Sequence, residues 1–409
     1  MNSAERQVTE TIRAEGARIL ATLVRVVGDL HIAEDAVQEA AIRALRQWPI
    51  TGMPESPRAW LTVTARRAAI DHLRREGART AKERAAMDLL LDEDPGEPVI
   101  QDDMLRLIFT CAHPALSLDA QVTLALRVLC GLSTTQIASV LLSSEAAVAK
   151  RLTRTRTKIA RAGIPYEVPA AAELPQRLSA VCAVVYTLYT SSHSAIAGPH
   201  LWDVDGSREA VRLARLVCDL MPDEVMPMSV LSLLLLTEAR RHARADAAGH
   251  PIVLAEQDRT AWDPAAIDEG CRLLDVSLRR CDGVADPYQL QAAIAAEHAT
   301  AATYRDTDWA EIVRLYDMLI GVHPSSAALL ARAVAVAEAS GTATGLAALT
   351  ELEPDHRWHA VRAELLARDD HFPEAITEMT ASLTGHWSVS DAEADHRTRL
   401  IEQWTRRIP

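Results

Sequence analysis

The chain has 409 residues, a formal net charge of −13 and 49% hydrophobic residues, of which few are aromatic. That length exceeds one ordinary domain, and abundant Ala, Leu and Arg with scarce aromatics favours helices over strands. No apolar run reaches the roughly 18–20 residues that span a bilayer, and MNSAERQVTE lacks the basic-then-apolar pattern of a secretory signal, so a cytoplasmic protein without a membrane partner is expected.

Charge is unevenly spread. Residues 1–165 hold 22 Lys plus Arg against 20 Asp plus Glu, whereas residues 166–409 hold 21 against 36. Only the front of the chain therefore suits a polyanion. Six cysteines, at 111, 130, 182, 218, 271 and 281, form no CxxC pair and read as small core residues. Cys111 and His113 make a lone CxH with no second pair at ligand spacing, so neither a metal nor a cofactor is expected. No GxGxxG, GxxxxGK[ST], HExxH or GxSxG string occurs, and His356 with His359 is an isolated HxxH, so an enzyme is not expected.

In chain order, a first helical unit covers residues 1–76. TIRAEGARILATLVRVVGDL and HIAEDAVQEAAIRALRQW carry apolar residues at helical spacing. PITGMPESP, with three prolines and a glycine, reads as a loop from Pro49 to Pro57, and RAWLTVTARRAAIDHLRRE as a third helix. That helix offers Arg66, Arg67, Arg74 and Arg75 with Trp60 at its start, a combination suited to unpaired DNA. Trp48 and Trp60 read first as core residues. Residues 77–103 form an acidic linker, in which seven acids and no base lie between Asp88 and Asp103. A solvated tether is the plain reading; the same charge would also suit a basic channel built for nucleic acid.

A second unit covers residues 104–165. Ser133 can cap a short helix through Val140, Ser143 and Ser144 break it, and a longer helix begins near Glu145. This is the helix-turn-helix pattern. Lys150, Arg151, Arg154, Arg156, Lys158 and Arg161 make the second helix basic, while Val148, Leu152 and Ile159 lie near one face for packing. Residues 166–409 read as helices with short breaks. EIVRLYDMLIGVHP, TGLAALTELEP and PEAITEMTASL recur at about 30 residues, as tetratricopeptide-like hairpins do. The fold class expected is all-α: two small helical units, the second a helix-turn-helix, then a larger helical-repeat or bundle domain.

Taken together, DAVQEAAIRALRQW, AWLTVTARRAAIDHLRRE and LSTTQIASVLLSSEAAVAKRLTRTR resemble, in order and spacing, the extracytoplasmic-function (group four) sigma factors of bacterial RNA polymerase. The resemblance covers residues 8–163. It implies that core RNA polymerase and promoter DNA are the partners. Asp35, Gln38, Glu39 and Arg43 would meet the polymerase, Trp60, Arg66, Arg67, Arg74 and Arg75 the −10 element, and the Pro49–Pro57 loop a flipped −10 base. Ser144, Glu145, Ala147, Lys150, Arg151 and Arg154 would meet the −35 element. Glu145 fits either a cytosine amine or the helix dipole.

LIFTCAHPALSLDAQ, AEQDRTAWD and DPYQLQAAIAAEHA resemble the sigma subfamily with a C-terminal tetratricopeptide-like domain. A large acidic extension tethered to basic DNA-reading helices is expected to act in cis through contact with the sigma units. That subfamily's Phe-Asn-Glu-Gly-Tyr phrase is replaced here by YTSSHSA at residues 189–195. Gln257, Asp258, Arg259 and Trp262 suit a buried network fixing two helices, or a contact site. The rival functions are a plain helix-turn-helix regulator with a helical sensor domain, which leaves DAVQEAAIRALRQW unexplained, and a scaffold, which leaves the basic helices unexplained.

Overall fold

Short polar side chains set many of the helix starts. Asp29, Asp263, Asp286 and Asp355 each accept two backbone N–H groups of the turn that follows, and Ser144 and Ser325 each accept one. The computed structural model describes residues 3–75, 97–141, 143–193, 204–246, 251–384 and 391–408. Those residues hold eighteen α-helices and no strand; an isolated antiparallel bridge pairs Ala245 with Pro251. The chain divides into two units, Met1–Thr187 and Leu188–Pro409, and the division falls inside one helix, Leu174–His193.

The first unit opens with α1 (Ser3–Val27), α2 (Leu30–Thr51) and α3 (Pro57–Arg75). On α2, Ala33, Ala36, Ala40 and Ala44 are buried at helical spacing, and on α3 Ala65, Ala68 and Ala69. Small residues on both faces let the two helices approach closely. The expected loop from Pro49 to Pro57 is shorter than its composition indicates. Helix α2 runs through Pro49 to Thr51, and Gly52, at φ 83°, donates its N–H to the Trp48 carbonyl. Pro49 sits in the last turn, where losing one N–H costs little continuity, and Pro57 takes the first position of α3, where a proline has no partner to lose.

Helices α4 (Glu97–Cys111), α5 (Leu118–Val128), α6 (Thr134–Val140) and α7 (Glu145–Ala162) follow, then α8 (Leu174–His193). Residues 77–96 of the acidic stretch lie outside the described residues. Its last residue, Asp103, lies within α4, fully buried, with its carboxylate 2.9 Å from Arg25 and 3.2 Å from Arg106. The Tyr166 hydroxyl ties the same region together, donating to the Ala21 carbonyl at 2.6 Å and placed 2.8 Å from the Asp103 carbonyl. Burial beside Asp103 pushes the Tyr166 phenol well above its usual range.

In the second unit, α9 (Val204–Leu220) and α10 (Val225–Glu238) precede three single 3-10 turns, then α11 (Pro264–Arg280) and α12 (Pro287–Thr300). Helix α10 is buried on every side from Pro227 to Leu236, so its neighbours α9, α11 and α12 wrap it. The remaining helices are α13 (Trp309–Val322), α14 (Ser326–Ser340), α15 (Thr342–Leu349), α16 (His356–Arg368), α17 (Phe372–Thr384) and α18 (Asp391–Thr405). Each packs chiefly on the next in sequence. Gly345 allows the closest of these approaches: a Cβ there would meet the Ala337 side chain and lie 2.9 Å from the Ala337 Cα. Helices α14, α16 and α18, alternate members of the series, line one groove together with α13.

Candidate nucleic-acid interface

Two capped helices build the helix-turn-helix. Ser133 and Gln136 cap α6 reciprocally: the Ser133 hydroxyl accepts from the Gln136 N–H at 3.2 Å, and the Gln136 side-chain oxygen accepts from the Ser133 N–H at 2.9 Å. Ser144 caps α7 through the Ala147 N–H at 3.2 Å, and Gly163, at φ 58°, ends it. Val148, Leu152 and Thr155 are the buried positions of α7, while Ile159 is half-buried.

The six basic residues of α7 part into two sets. Lys150, Arg154, Lys158 and Arg161 are exposed along one stripe, four cations over about three turns with no acid among them. Arg151 and Arg156 turn inward. Arg151 donates to the Thr123 hydroxyl at 3.1 Å and lies 3.9 Å from Asp119. Arg156 meets Glu34 of α2 at 2.6 Å. Ser144, Glu145 and Ala147 are exposed at the start of the helix, beside the stripe.

On α3, Trp60, Thr64 and Arg67 recur at helical spacing on one face. Arg67 is exposed, Trp60, Thr64 and Arg66 are half-buried, and Val63 beside them is exposed. The Trp60 ring meets Trp48 edge-on, with centroids 5.3 Å apart. Trp48 is core; Trp60 keeps part of its surface exposed. Arg74 and Arg75 end the helix, and their side chains lie outside the described residues.

The four residues expected to meet the polymerase all lie on α2, each with an intrachain partner. Asp35 is 3.1 Å from His31, Glu39 pairs with Arg43 at 2.5 Å and lies 3.8 Å from His72, and Gln38 donates to Glu34 at 3.2 Å. Around them Ile42, Leu45 and Ile50 are exposed, an apolar strip beside charges on a single helix face. Such a strip is a usual component of a protein–protein interface.

Sequence reading missed the group that joins these surfaces. Glu34, almost fully buried, accepts from Arg127 of α5 and from Arg156 of α7, each at 2.6 Å. Arg127 also donates to the Leu132 carbonyl. Helix α2 and the basic helix α7 are thus clasped by one carboxylate between two guanidinium groups. A signal existed: Arg127 is the single charge in the apolar run VTLALRVLC, and Glu34 stands in the alanine stripe of α2. A lone charge in such a setting needs a buried partner.

In the second unit, Arg259 donates to the His298 and Ala301 carbonyls at 2.5 and 2.6 Å, and stacks on the Trp262 ring with its centroid 4.7 Å away. Asp258 caps its own 3-10 turn, and Gln257 donates to the Ile252 carbonyl at 3.0 Å. Arg259 thereby ties the segment after α10 to the end of α12, while the contacts of Gln257, Asp258 and Trp262 order that segment itself. Of YTSSHSA, Tyr189 is buried with its hydroxyl 3.2 Å from Glu238, while residues 194 and 195 lie outside the described residues. Cys111 is in the core, where burial pushes its thiol up, and His113 accepts from the Ala115 N–H at 3.1 Å, holding a turn. Among the described residues no helix is long and apolar enough to cross a membrane.

Three family models match the chain: sigma-70 region 2 over residues 11–79, sigma-70 region 4 over residues 106–159, and a family of unknown function, DUF6596, over residues 177–278. An uncharacterized protein of Rhizobium meliloti (strain 1021) is 40% identical over 387 residues, covering 91% of this chain and 90% of its own. A probable ECF RNA polymerase sigma factor, SigI, of Mycobacterium tuberculosis is 33% identical over 162 residues, 37% of this chain and 54% of that protein. No solved structure matches. The chain therefore belongs to one family with the Rhizobium protein along nearly its whole length, and its first 160 or so residues carry sigma-70 regions 2 and 4, the part over which it is similar to the probable ECF sigma factor.

Proposed function

We propose that the chain binds core RNA polymerase through α2, opens and reads the −10 element with α3 and the Gly52–Pro57 turn, reads the −35 element with α7, and is modulated in cis by its helical extension. The observation that carries this reading is the α7 surface: four exposed cations in one stripe, behind a Ser-capped helix start, on the second helix of a helix-turn-helix. Phosphate contacts from Lys150, Arg154, Lys158 and Arg161 would set the register, and the first turn, Ser144 to Ala147, would face base edges. The test is transcription in vitro with core polymerase on a promoter bearing both elements. Full-length protein should give specific transcripts; a protein that binds the duplex but recruits no polymerase would be a plain regulator.

The polymerase contact has its own test. Asp35→Lys with Glu39→Lys should weaken core binding tenfold or more with helix content unchanged, because both positions are on the helix surface. Unchanged binding in a pull-down or by anisotropy would reject α2 as the contact.

The extension carries 21 basic against 36 acidic residues from residue 166 onward. A tethered acidic domain acts at high effective concentration and needs little intrinsic affinity for basic helices. We read its role as bracing the sigma unit in a productive arrangement. The capped, well-tied segments around Arg259 and Asp286 suit a fixed support rather than a released mask. Because the first unit extends to Thr187 and α8 to His193, the truncation to compare ends after His193. Promoter-directed transcription is expected to fall in the truncated protein; a rise would show masking instead.

A further inference from the structure

The second unit contains a groove of about 700 Å³ that the proposed sigma function leaves unused. Its size falls in the range of small-molecule sites, roughly 300–1,000 Å³. Tyr304, Trp309, Tyr316 and Trp404 give its walls flat apolar surface. Trp309 meets His298 and Tyr304 edge-on, both at 5.2 Å between centroids, so this wall is held by its own ring contacts.

The acids at the groove have arginines beside them. Asp370 pairs with Arg407 at 3.2 Å, and Glu338 of α14 with Arg368 at 2.5 Å. Glu364 is exposed, with Arg368 and Arg397 as its charged neighbours. The reverse does not hold beside His298, where Arg240 and Arg259 stand together. Arg259 gives N–H groups to the His298 and Ala301 carbonyls, which leave its charge in place, and Asp306 offsets part of that charge. Arg240, just past α10 and half-buried, makes no hydrogen bond and no ion pair among the described residues. Its neighbours are Tyr189, Tyr316, Arg244 and Arg259, with no acid among them. Burial disfavours its charge, and Arg259 adds repulsion. Tyr316 and His298, both on the groove wall, place Arg240 at the groove. His298 feels the same field: burial first, then Arg240 and Arg259, lower it to about 4, so it is neutral near pH 7. Its Nδ1 is closed off from bulk water and has no hydrogen-bond partner among the described residues.

A guanidinium largely withdrawn from water, next to a second one and without an acid, is a costly arrangement that an entering anion relieves. We propose that this groove is a binding site for a small organic anion, a carboxylate on a flat apolar body, with Arg240 as its counter-ion and His298 as a neutral donor. The guanidinium fork matches the two oxygens of a carboxylate. A neutral imidazole can carry its proton on Nδ1, which gives that orphaned atom an acceptor. The aromatic walls cover the apolar body. The inference does not rest on the sigma function, since no residue of the first unit takes part.

The test uses the full chain and a matched set of probes: phenylacetate, 2-phenylethanol, 2-phenylethylamine and acetate. Binding is followed by tryptophan fluorescence and ligand-observed NMR. Phenylacetate should bind saturably, and the alcohol, the amine and acetate, which lacks the apolar body, at least tenfold more weakly. Arg240→Met should lower the affinity for phenylacetate tenfold or more and leave the alcohol unchanged, and Arg240→Lys should recover part of the loss. Removing a charge that no acid compensates should leave the melting temperature in place or raise it, so Arg240→Met keeps the fold testable. The preference of the unaltered chain among the four probes decides the question without any variant. Equal binding of phenylacetate and the alcohol, no saturable binding of phenylacetate, or indifference to Arg240→Met, as when the anion sits on the basic stripe of α7 instead, would each overturn the proposal.

Discussion

Linking α2 covalently to α7 should abolish transcription from a promoter with both elements while leaving binding to each element alone within a few-fold. The reason is distance. Elements centred about 25 base pairs apart lie some 85 Å apart along B-DNA, at roughly 3.4 Å per pair. In this structure Arg156 of α7 touches Glu34, and α3 lies along the same helix: Trp60 packs on Trp48 at 5.3 Å and His72 lies 3.8 Å from Glu39. Fourteen residues of α2 separate Glu34 from Trp48, a rise of about 21 Å. The Trp60–Arg67 face and the Lys150–Arg154 face therefore stand within about 40 Å of one another, less than half the span. On the proposed assignment of α3 and α7, reading both elements at once requires the Glu34 clasp to part. Buried charge trios suit such a role, since their net stabilisation is small although each member depends on the others.

A clean version of the link replaces the half-exposed Cys218, Cys271 and Cys281 with Ser and introduces Glu34→Cys with Arg156→Cys. Two long side chains cut back to thiols leave more than the roughly 4 Å that a disulfide spans between Cβ atoms, so a short bismaleimide is the linker. The same protein treated with a monofunctional maleimide is the control. Transcription by the linked protein equal to that of the control would show that the clasped arrangement does not limit promoter use.

Much of this was legible in the residues, and the limits have physical causes. The helix-turn-helix was readable because caps and periodicity agree locally: Ser133, Ser144 and the Val148–Leu152 spacing all point to the same boundaries, and each acts within one turn. Composition alone misplaces the end of α2. Pro49 reads as a breaker, but a proline in a final turn forfeits one hydrogen bond, and Gly52 supplies the left-handed exit three residues later. The Glu34 clasp was invisible for a different reason. Its partners stand 93 and 122 residues away, and no local rule pairs them. Likewise all six cations of α7 looked alike in the sequence; which two turn inward depends on α5 and α2, not on α7. For Gln257, Asp258, Arg259 and Trp262 the sequence leaves two readings open, because the His298 and Ala301 carbonyls that Arg259 meets stand 39 and 42 residues away.

That division of α7 decides which substitutions report on DNA. Arg151 is a poor reporter, because its guanidinium holds α7 on α5 through Thr123, and replacing it disturbs packing as well as charge. Lys150 and Arg154 are exposed and one turn apart, so Lys150→Glu with Arg154→Glu changes the surface alone. Each lost phosphate or base contact costs about 1–3 kcal/mol, so the pair should weaken binding to a −35 duplex about a hundredfold or more at moderate salt. The salt dependence should flatten with it, by about one unit of slope for each phosphate contact removed. Fluorescence anisotropy across a salt series measures both quantities on one sample. Glu145 sharpens the interpretation. If it only favours the helix dipole, Glu145→Gln lowers stability slightly and leaves sequence preference intact; if it accepts from a cytosine amine, preference at one base pair relaxes. Affinity within threefold of the parent in the double variant would remove α7 as the reading helix. The chain would then hold DNA through α3, where Trp60 and Arg67 stack and pair without needing a duplex groove.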